Sequence, residues 1–373
     1  MKKILIVVGT RPELIKVAVI VKELEARGLR DRYILINTSQ HKELLDPYWA
    51  IFEIKPDVVL DVMKRDQNLS SLTVRVIDQF QKYLDSVKDE AAGVLAQGDT
   101  TTVFGVSLVS FYNGIPFYHL EAGLRSFDLN NPYPEEFNRK AASIVSSFHF
   151  CPTETSKENL ISEGVDPEKI LVTGNTVIDS LLLVKRYISD HPEFEDETLR
   201  SKIKDDQKTV LITCHRRENH GDNLKLIINT IIELANENKD FLFVWILHPN
   251  PRVMGTLQSP ELTLPKNIFL VPPVGYNDLI RLMSRSTVAI SDSGGIQEEA
   301  PSFNVPVLVL RNATERPEGV EAGAAVLVGT DKELIKERFY DYLSAGMSIT
   351  DNPYGDGLSS GRIVNKLLEL LED

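Results

Sequence analysis

Short apolar runs alternate with helical patterns along the whole of this chain, and most of the runs end in a glycine or a polar turn. In the first half they are Ile4–Val8, Tyr33–Asn37, Val94–Gln97, Phe117–His119, Phe148–Cys151 and Ile170–Thr173. The second half adds Val210–Cys214, Leu242–Leu247, Ile268–Val271, Val288–Ser291, Val307–Leu310 and Ala325–Val328. Helical periodicity fills the gaps, as in Ser70–Leu84, Leu224–Ala235 and Asn277–Arg285. A strand that is apolar throughout must be covered on both faces, and strands separated by helices pair in parallel. At 373 residues the chain is longer than one core usually supports. The pattern therefore predicts an α/β protein of two doubly wound, Rossmann-like domains. The polar stretch His191–Lys208, with Pro192 inside it, is expected at the edge of the second domain, with the hinge just before it near Gly174–Thr176. Doubly wound sheets bind ligands beyond their strand C-termini, so the two domains are expected to face each other across a cleft.

Composition excludes several function classes. With 41 basic and 54 acidic residues the net charge is −13, which argues against a general affinity for nucleic acid or an anionic membrane. An anionic ligand must then be held by local groups. Cys151 and Cys214 are the only cysteines, each in or beside an apolar run, which suggests a reducing compartment and no disulfide framework. No Cys or His stands at zinc-ligand spacing, so no metal site is expected. The segment Met1–Gly9 is too short in its apolar part for a signal sequence and leads into Thr10-Arg-Pro-Glu13, so it reads as a first strand. No run approaches the roughly 20 apolar residues of a membrane span, and a cytoplasmic protein is expected.

The polar motifs fall at strand ends. After Thr287-Val-Ala-Ile290 comes Ser291-Asp-Ser-Gly-Gly-Ile-Gln-Glu-Glu-Ala300, a strand, a glycine turn and a helix start. Unpaired N–H groups and the helix dipole favour an anion there, and Gly294 and Gly295 let a phosphate approach the backbone. Glu299 is placed to accept hydrogen bonds from sugar hydroxyls; a plain glycine turn capped by Ser293 is the simpler reading. Gly9-Thr-Arg-Pro-Glu13 closes the first strand and offers Arg11, with Lys16 one turn on, as partners for a polyanion or as a solvated pair. Gln97-Gly-Asp-Thr-Thr-Thr102 aims Asp99 past another strand end, unless Asp99 is a helix N-cap. His119-Leu-Glu-Ala-Gly-Leu-Arg125 brings Glu121 and Arg125 to a third. Pro132-Tyr-Pro-Glu-Glu-Phe-Asn-Arg139 supplies Glu135 and Glu136 in a first helical turn, where carboxylates also occur for dipole reasons alone. Thr213-Cys-His-Arg-Arg-Glu-Asn219 adds His215 directly after a buried strand. His149, within an apolar run, reads as a core histidine.

Three acidic groups and a histidine at strand ends, with an anion-binding helix start, suit acid–base work on a sugar carried by a nucleotide phosphate. The first strand is not followed by Gly-x-Gly-x-x-Gly, which disfavours NAD, and neither a Walker Gly-Lys-Ser/Thr nor a Gly-x-Ser-x-Gly elbow occurs. No cofactor is expected.

These motifs, in this order, resemble the non-hydrolysing UDP-N-acetylglucosamine 2-epimerases, which share the two-domain GT-B fold. The resemblance spans nearly the whole length and adds Thr173-Gly-Asn-Thr-Val-Ile-Asp179, Thr314-Glu-Arg-Pro-Glu318 and Asn352-Pro-Tyr-Gly-Asp-Gly357. It implies an N-terminal domain of residues 1–174 completed by 353–373, with the last helix, Ser360–Leu371, returning to it, and a UDP-binding domain of residues 175–352. It implies reversible conversion of UDP-GlcNAc to UDP-ManNAc through elimination of UDP, a 2-acetamidoglucal intermediate and re-addition, feeding surface polysaccharide synthesis. Asp99, Glu121, Glu135 and His215 carry over as the catalytic set, and Arg11, Lys16, Ser293, Gly294, Gly295, Glu299 and Arg316 as UDP-sugar contacts. For Arg316 a surface ion pair with Glu315 or Glu318 is the alternative. In bacterial members a further substrate molecule binds at a regulatory site, whose lining Gln40, His41, Gln67, Glu136 and His248 resemble. The chain departs from the family at Asn37-Thr-Ser-Gln40, Arg65-Asp-Gln67 and Pro273-Val-Gly-Tyr276, and His248 has a structural reading beside Pro249. A homodimer follows from the resemblance alone. The alternatives are a hydrolysing 2-epimerase, an epimerase of a related diacetamido sugar, a GT-B glycosyltransferase and a sensing module without turnover. Gly-Thr-Arg-Pro-Glu in place of Gly-Ala-Arg-Pro-Gln speaks against the diacetamido variant, and the complete carboxylate set against the last two.

Overall fold

A computed structural model describes the whole chain except residues 1, 41, 65–67, 249, 258, 260, 261, 348, 350 and 373. It divides into two compact units, Met1–Ser180 with Tyr354–Asp373, and Leu181–Pro353.

The first unit begins with β1 (Lys3–Val8), α1 (Arg11–Ala26), β2 (Tyr33–Asn37), α2 (Lys42–Ile51), β3 (Val58–Val59), α3 (Leu69–Val87) and β4 (Ala91–Gln97). It continues with α4 (Thr101–Tyr112), β5 (Phe117–Leu120), α5 (Glu135–Val145), β6 (Phe148–Cys151), α6 (Glu154–Ser162) and β7 (Ile170–Val172). Helix α7 (Thr176–Asp190) runs through the division. The strands form one sheet in the order β3-β2-β1-β4-β5-β6-β7, every pairing parallel. β1 is buried from Ile4 to Val8, as a strand covered on both faces must be. Leu5, Val7, Val94 and Ala96 pack in one core with Val76, Phe80 and Leu84 of α3 and Val103 and Val106 of α4. The two-residue edge strand β3 gave no sequence signal, being too short for a period of two.

The second unit holds α8 (Glu197–Lys202), β8 (Lys208–Thr213), α9 (Asp222–Glu237), β9 (Phe241–Ile246), α10 (Pro251–Leu257), β10 (Ile268–Val271) and α11 (Tyr276–Ser284). Then come β11 (Ser286–Ser291), α12 (Gly294–Glu299), β12 (Val307–Val309), α13 (Pro317–Glu321), β13 (Ala325–Leu327) and α14 (Lys332–Ala345). Its sheet, again parallel throughout, has the order β10-β9-β8-β11-β12-β13. Trp245, Phe243 and Phe339 are the largest side chains of its core. The polar stretch 191–208 is tied down by Asp278, whose carboxylate accepts from the Glu195 and Asp196 N–H groups at 2.9 and 2.8 Å.

The last helix, α15 (Ser359–Glu372), belongs to the first unit. Asp179 accepts from the Ser360 and Ser359 N–H groups at 2.7 and 3.3 Å, capping it, and Arg27 of α1 donates to Asn365 at 2.6 Å. Asn175 N–H donates to the Tyr354 carbonyl at 2.7 Å. The Thr173–Asp179 motif thus serves as the seat for the returning segment.

Gly123, in the turn after β5, has φ +90°, and a Cβ there would lie 2.1 Å from the Ser156 carbonyl oxygen of α6. Gly28 has φ +72° with open space around it. Gly123→Ala is expected to cost about 3 kcal/mol or more, adding a backbone collision to the left-handed strain, and Gly28→Ala only about 1 kcal/mol. Urea unfolding followed by circular dichroism separates the two.

Candidate active site

In each sheet the strand order reverses once, between β1 and β4 and between β8 and β11. Loops leaving strand C-termini at such a reversal diverge, and the crevice they leave is where doubly wound sheets hold ligands. The sequence motifs Gly9–Glu13 and Gln97–Thr102 leave β1 and β4, while His215–Asn219 and Ser291–Ala300 follow β8 and β11. In each unit these motifs gather around the reversal of its own sheet.

In the first unit, Asp99 lies two residues beyond β4, partly exposed, and is fixed by α5. Arg139 Nε and Nη2 both donate to its Oδ2, at 2.9 and 2.7 Å, and Asn138 Nδ2 donates to its carbonyl at 2.8 Å. Asp99 is not the N-cap of α4; that role falls to Thr100, whose hydroxyl accepts from Val103 N–H. Glu135 opens α5 half-buried, about one helical turn before the Asn138 and Arg139 that hold Asp99. Glu121 follows β5 with φ +59°, a conformation that costs a non-glycine residue roughly 1–2 kcal/mol. Its carboxylate is held by Lys16 Nζ and by Gln97 Nε2, the latter at 2.8 Å. Lys16 therefore sits in an ion pair with a catalytic candidate, both side chains less than a tenth exposed. Arg11 is exposed, its guanidinium 5.9 Å from the Tyr48 ring centre.

Glu13 is a site residue that sequence reading missed. Its Oε2 accepts from Gly9 and Thr10 N–H at 2.6 and 3.3 Å, so this carboxyl occupies donors that would otherwise face an anion. Burial pushes it up to about 7, outweighing the hydrogen bonds from Thr100, Gly9 and Thr10 that favour its charged form. The capping pattern Thr-x-x-Glu was the available signal.

Glu136 is fully buried: its oxygens accept from Ser126 and Phe127 N–H, both at 3.1 Å, and from Arg139 Nη1 at 3.1 Å. Gln40 accepts at Oε1 from the Thr102 hydroxyl and N–H, at 2.8 and 3.2 Å. Ser39 before it has φ +59°, the conformation a glycine adopts without strain, and Asn37 Oδ1 secures its N–H at 2.7 Å. His41 and Gln67 lie outside the described residues. His119 and His149 are buried neighbours across β5 and β6, and burial lowers them to about 4 and about 3, so both are neutral core residues.

The second unit centres on Asp292, fully buried and absent from the candidate list drawn from sequence. It accepts from His215 N–H at 2.9 Å, Arg216 N–H at 2.9 Å and Asn219 Nδ2 at 2.9 Å, and pairs with His215 Nδ1 at 3.0 Å. Burial alone would raise this carboxyl; His215 and the converging N–H donors outweigh it and hold it well below the usual range. The pairing orients the His215 ring. The His248 ring stacks on it, centres 5.2 Å apart, and His248 Nδ1 accepts from Asn250 N–H at 3.2 Å.

Ser293 is the N-cap residue of α12 but its hydroxyl makes no capping bond. A Cβ on Gly294 would fall 2.5 Å from Arg316 Cζ, so the glycine is what lets the guanidinium lie against the turn. Arg316 is buried, not a surface residue: Nε donates to Glu298 at 2.7 Å and Nη1 to Glu315 at 2.6 Å. Glu315 also accepts from Arg311 at 2.7 Å, which pairs in turn with Glu218 at 2.9 Å. Glu299 accepts from the Tyr276 hydroxyl at 2.7 Å and Gly295 follows Gly294 in the first turn. Among the described residues no group of three or more His, Cys, Asp or Glu side chains gathers to hold a metal ion, and no helix is long and apolar enough to cross a membrane.

Two parallel α/β sheets, each with polar and charged side chains gathered where its strand order reverses, are the arrangement of a doubly wound, ligand-binding protein. Residues 22–368 match the family model described as UDP-N-acetylglucosamine 2-epimerase, and the chain belongs to that family. It is 45% identical to the UDP-N-acetylglucosamine 2-epimerase of Neisseria meningitidis serogroup A, over 98% of this chain and 99% of that protein. Among solved structures, the N. meningitidis UDP-GlcNAc 2-epimerase bound to UDP-GlcNAc superposes with a TM-score of 0.90 at 43% identity, covering 98% of this chain and 100% of that one. The S. aureus MnaA–UDP co-structure gives 0.88 at 39%, covering 100% and 98%.

The folded-state proton affinity of Glu13 has a measurable consequence. Its carboxyl stays protonated in the folded chain up to about pH 7 but only to about 4.5 when unfolded, so stability falls as pH rises through that window and is constant above it. Glu13→Gln, a neutral isostere that keeps an acceptor for Gly9 and Thr10, is expected to remove this loss, on the order of 3 kcal/mol. Urea titrations of both proteins at pH 5 and pH 8 read the difference, which should widen toward pH 8.

Proposed function

We propose that this chain interconverts UDP-GlcNAc and UDP-ManNAc by anti elimination of UDP and syn re-addition, supplying ManNAc-type sugars for surface polysaccharides. The observation that carries the reading is the carboxylate set of the first unit, Asp99 and Glu121 just beyond β4 and β5 and Glu135 at the start of α5, in a chain that belongs to the 2-epimerase family. The proton on C2 is not adjacent to a carbonyl, so simple removal and return is too costly. Breaking C1–O first sends that electron pair to the β-phosphate oxygen of UDP. The C2–H pair then forms the C1=C2 bond of 2-acetamidoglucal as a carboxylate takes the proton. Protonation of C2 from the other face and return of UDP to C1 give the epimer. Asp99 and Glu135 are the acid–base pair, and Glu121, held by Lys16 and Gln97, orients the sugar. Arg11 serves the same anionic substrate from the exposed end of α1.

In the second unit UDP is held by Ser293, Gly294 and Gly295 at the start of α12, with Arg316 beneath the turn and Glu299 on the ribose. His215, oriented by Asp292, stabilises the departing diphosphate, where preorganised donors act most strongly once water is excluded. Regulation by a second substrate molecule is part of the proposal, through Gln40 and His248; Glu136, its carboxylate engaged by Ser126, Phe127 and Arg139, is better read as a structural member. A cytoplasmic homodimer is proposed as well. The support for the dimer is the exposed apolar face of α4 and α5, Phe111, Tyr112, Phe137 and Ile144.

Proton NMR of the chain with UDP-GlcNAc in heavy water tests the reaction. UDP-ManNAc carrying deuterium at C2 is expected; free N-acetylmannosamine with UDP would mean the hydrolysing reaction, and an unchanged spectrum a different substrate. Asp99→Asn and Glu135→Gln should each lower C2 exchange by about a thousandfold, in the middle of the range of general acid–base contributions, with UDP affinity within a few-fold of the parent. Ile144→Glu with Phe111→Arg should give a monomer by sedimentation; an unshifted dimer would place the interface elsewhere.

A further inference from the structure

Asp99 is gripped at both backbone and side chain by a single neighbouring helix. Asn138 and Arg139, consecutive in α5, take its carbonyl and its carboxylate. Both Arg139 contacts go to Oδ2, and among the described residues no partner contacts Oδ1. The same guanidinium reaches Glu136, whose oxygens secure the Ser126 and Phe127 N–H groups, and Phe127 has φ +61°. Arg139 is therefore the link between the loop that follows Arg125 and the carboxylate beyond β4. Its side chain is 6% exposed, while that of Asp99 is 25% exposed. A guanidinium is rigid and always charged, and two of its donors converging on one oxygen anchor Oδ2 more firmly than a flexible ammonium would.

We infer that Arg139 is the positioning residue for C2 proton transfer: it immobilises Oδ2 of Asp99, so that Oδ1 is the atom that accepts or delivers the proton. The inference rests on the reading of Asp99 as one of the acid–base pair. Arg139 itself does not touch the substrate. It acts by holding a carboxylate that would otherwise rotate about its Cβ–Cγ bond, and small misplacements of a reacting group are costly in rate. Because the grip is on Asp99 and Glu136, neither of them assigned to UDP, it should leave UDP affinity untouched. Arg139 also ties down Glu136, so a neutral substitution carries a stability cost, and the conservative lysine variant is needed beside it.

The experiment uses the full chain, with UDP-GlcNAc in heavy water, and compares the parent with Arg139→Lys, Arg139→Gln and Asp99→Asn. Deuterium entry at C2 gives the exchange rate, calorimetry gives UDP affinity, and thermal unfolding checks the fold. Arg139→Gln should lower exchange at least a hundredfold with UDP affinity within threefold. Arg139→Lys, which keeps the charge but not the fork, should recover part of this, remaining about tenfold below the parent in kcat with KM within threefold. If Arg139→Gln does not fold, that kcat-specific loss in Arg139→Lys decides alone. Parent-like exchange in both Arg139 variants, with Asp99→Asn inactive, would overturn the positioning role and leave the assignment of Asp99 standing. Parent-like exchange in Asp99→Asn would overturn both.

Discussion

All pairings in both sheets are parallel, and from this constraint most of the site follows. Parallel strands put all their C-termini on one edge and all the following helix starts beside them. Residues distant in sequence, such as Glu13, Asp99 and Glu121, are brought to a single edge because each follows a strand of the same sheet. The same rule in the second sheet assembles His215 and Asp292 from the ends of β8 and β11, whose register pairs Thr213 with Ser291. Parallel pairing also demands buried faces, which is why the strands read as continuous apolar runs, with little polar character until their ends.

At those ends the structure manages charge by pairing it internally. Lys16 with Glu121, Arg139 with Asp99 and Glu136, and Arg316 with Glu298 and Glu315 are ion pairs at least partly removed from water. Such pairs contribute little net stability once desolvation is counted, and breaking one member is costly. Their value lies in orientation, since each fixes a side chain that the proposed chemistry needs. The exception is the start of α12, where Ser293 makes no capping bond and the glycines keep the backbone approachable. Two strand-to-helix turns thus have opposite designs: Glu13 fills the one after β1, and the one after β11 carries no capping side chain.

Much of this was legible in the sequence because it rests on local signals. Apolar runs such as Tyr33–Asn37, Phe148–Cys151 and Ile268–Val271 coincide with strands, since a strand covered on both faces has to be apolar. The glycine turn at Gly294 was readable because a helix start without side-chain caps needs such residues. Partnerships were not legible. Nothing in the spacing of Asp99 and Arg139, or of His215 and Asp292, states that they meet, because those contacts depend on strand order and register. Arg316 could be read as a surface ion pair for the same reason: its burial is a property of the packed turn, invisible in Thr314–Glu318 alone. Ser39 was visible as a departure from the family pattern, but only the fold shows that it holds a glycine's conformation.

The central claim is that C1–O cleavage, with UDP leaving and returning, underlies inversion at C2. Positional isotope exchange tests it most directly: UDP-GlcNAc is supplied with oxygen-18 in the bridge between C1 and the β-phosphorus, and recovered substrate is read by phosphorus NMR. Once C1–O is broken the β-phosphate oxygens become equivalent by rotation, and the label is expected to spread into the non-bridging oxygens during epimerisation. Epimerisation with the label confined to the bridge, and with neither UDP nor 2-acetamidoglucal found when the turning-over enzyme is quenched, would contradict it.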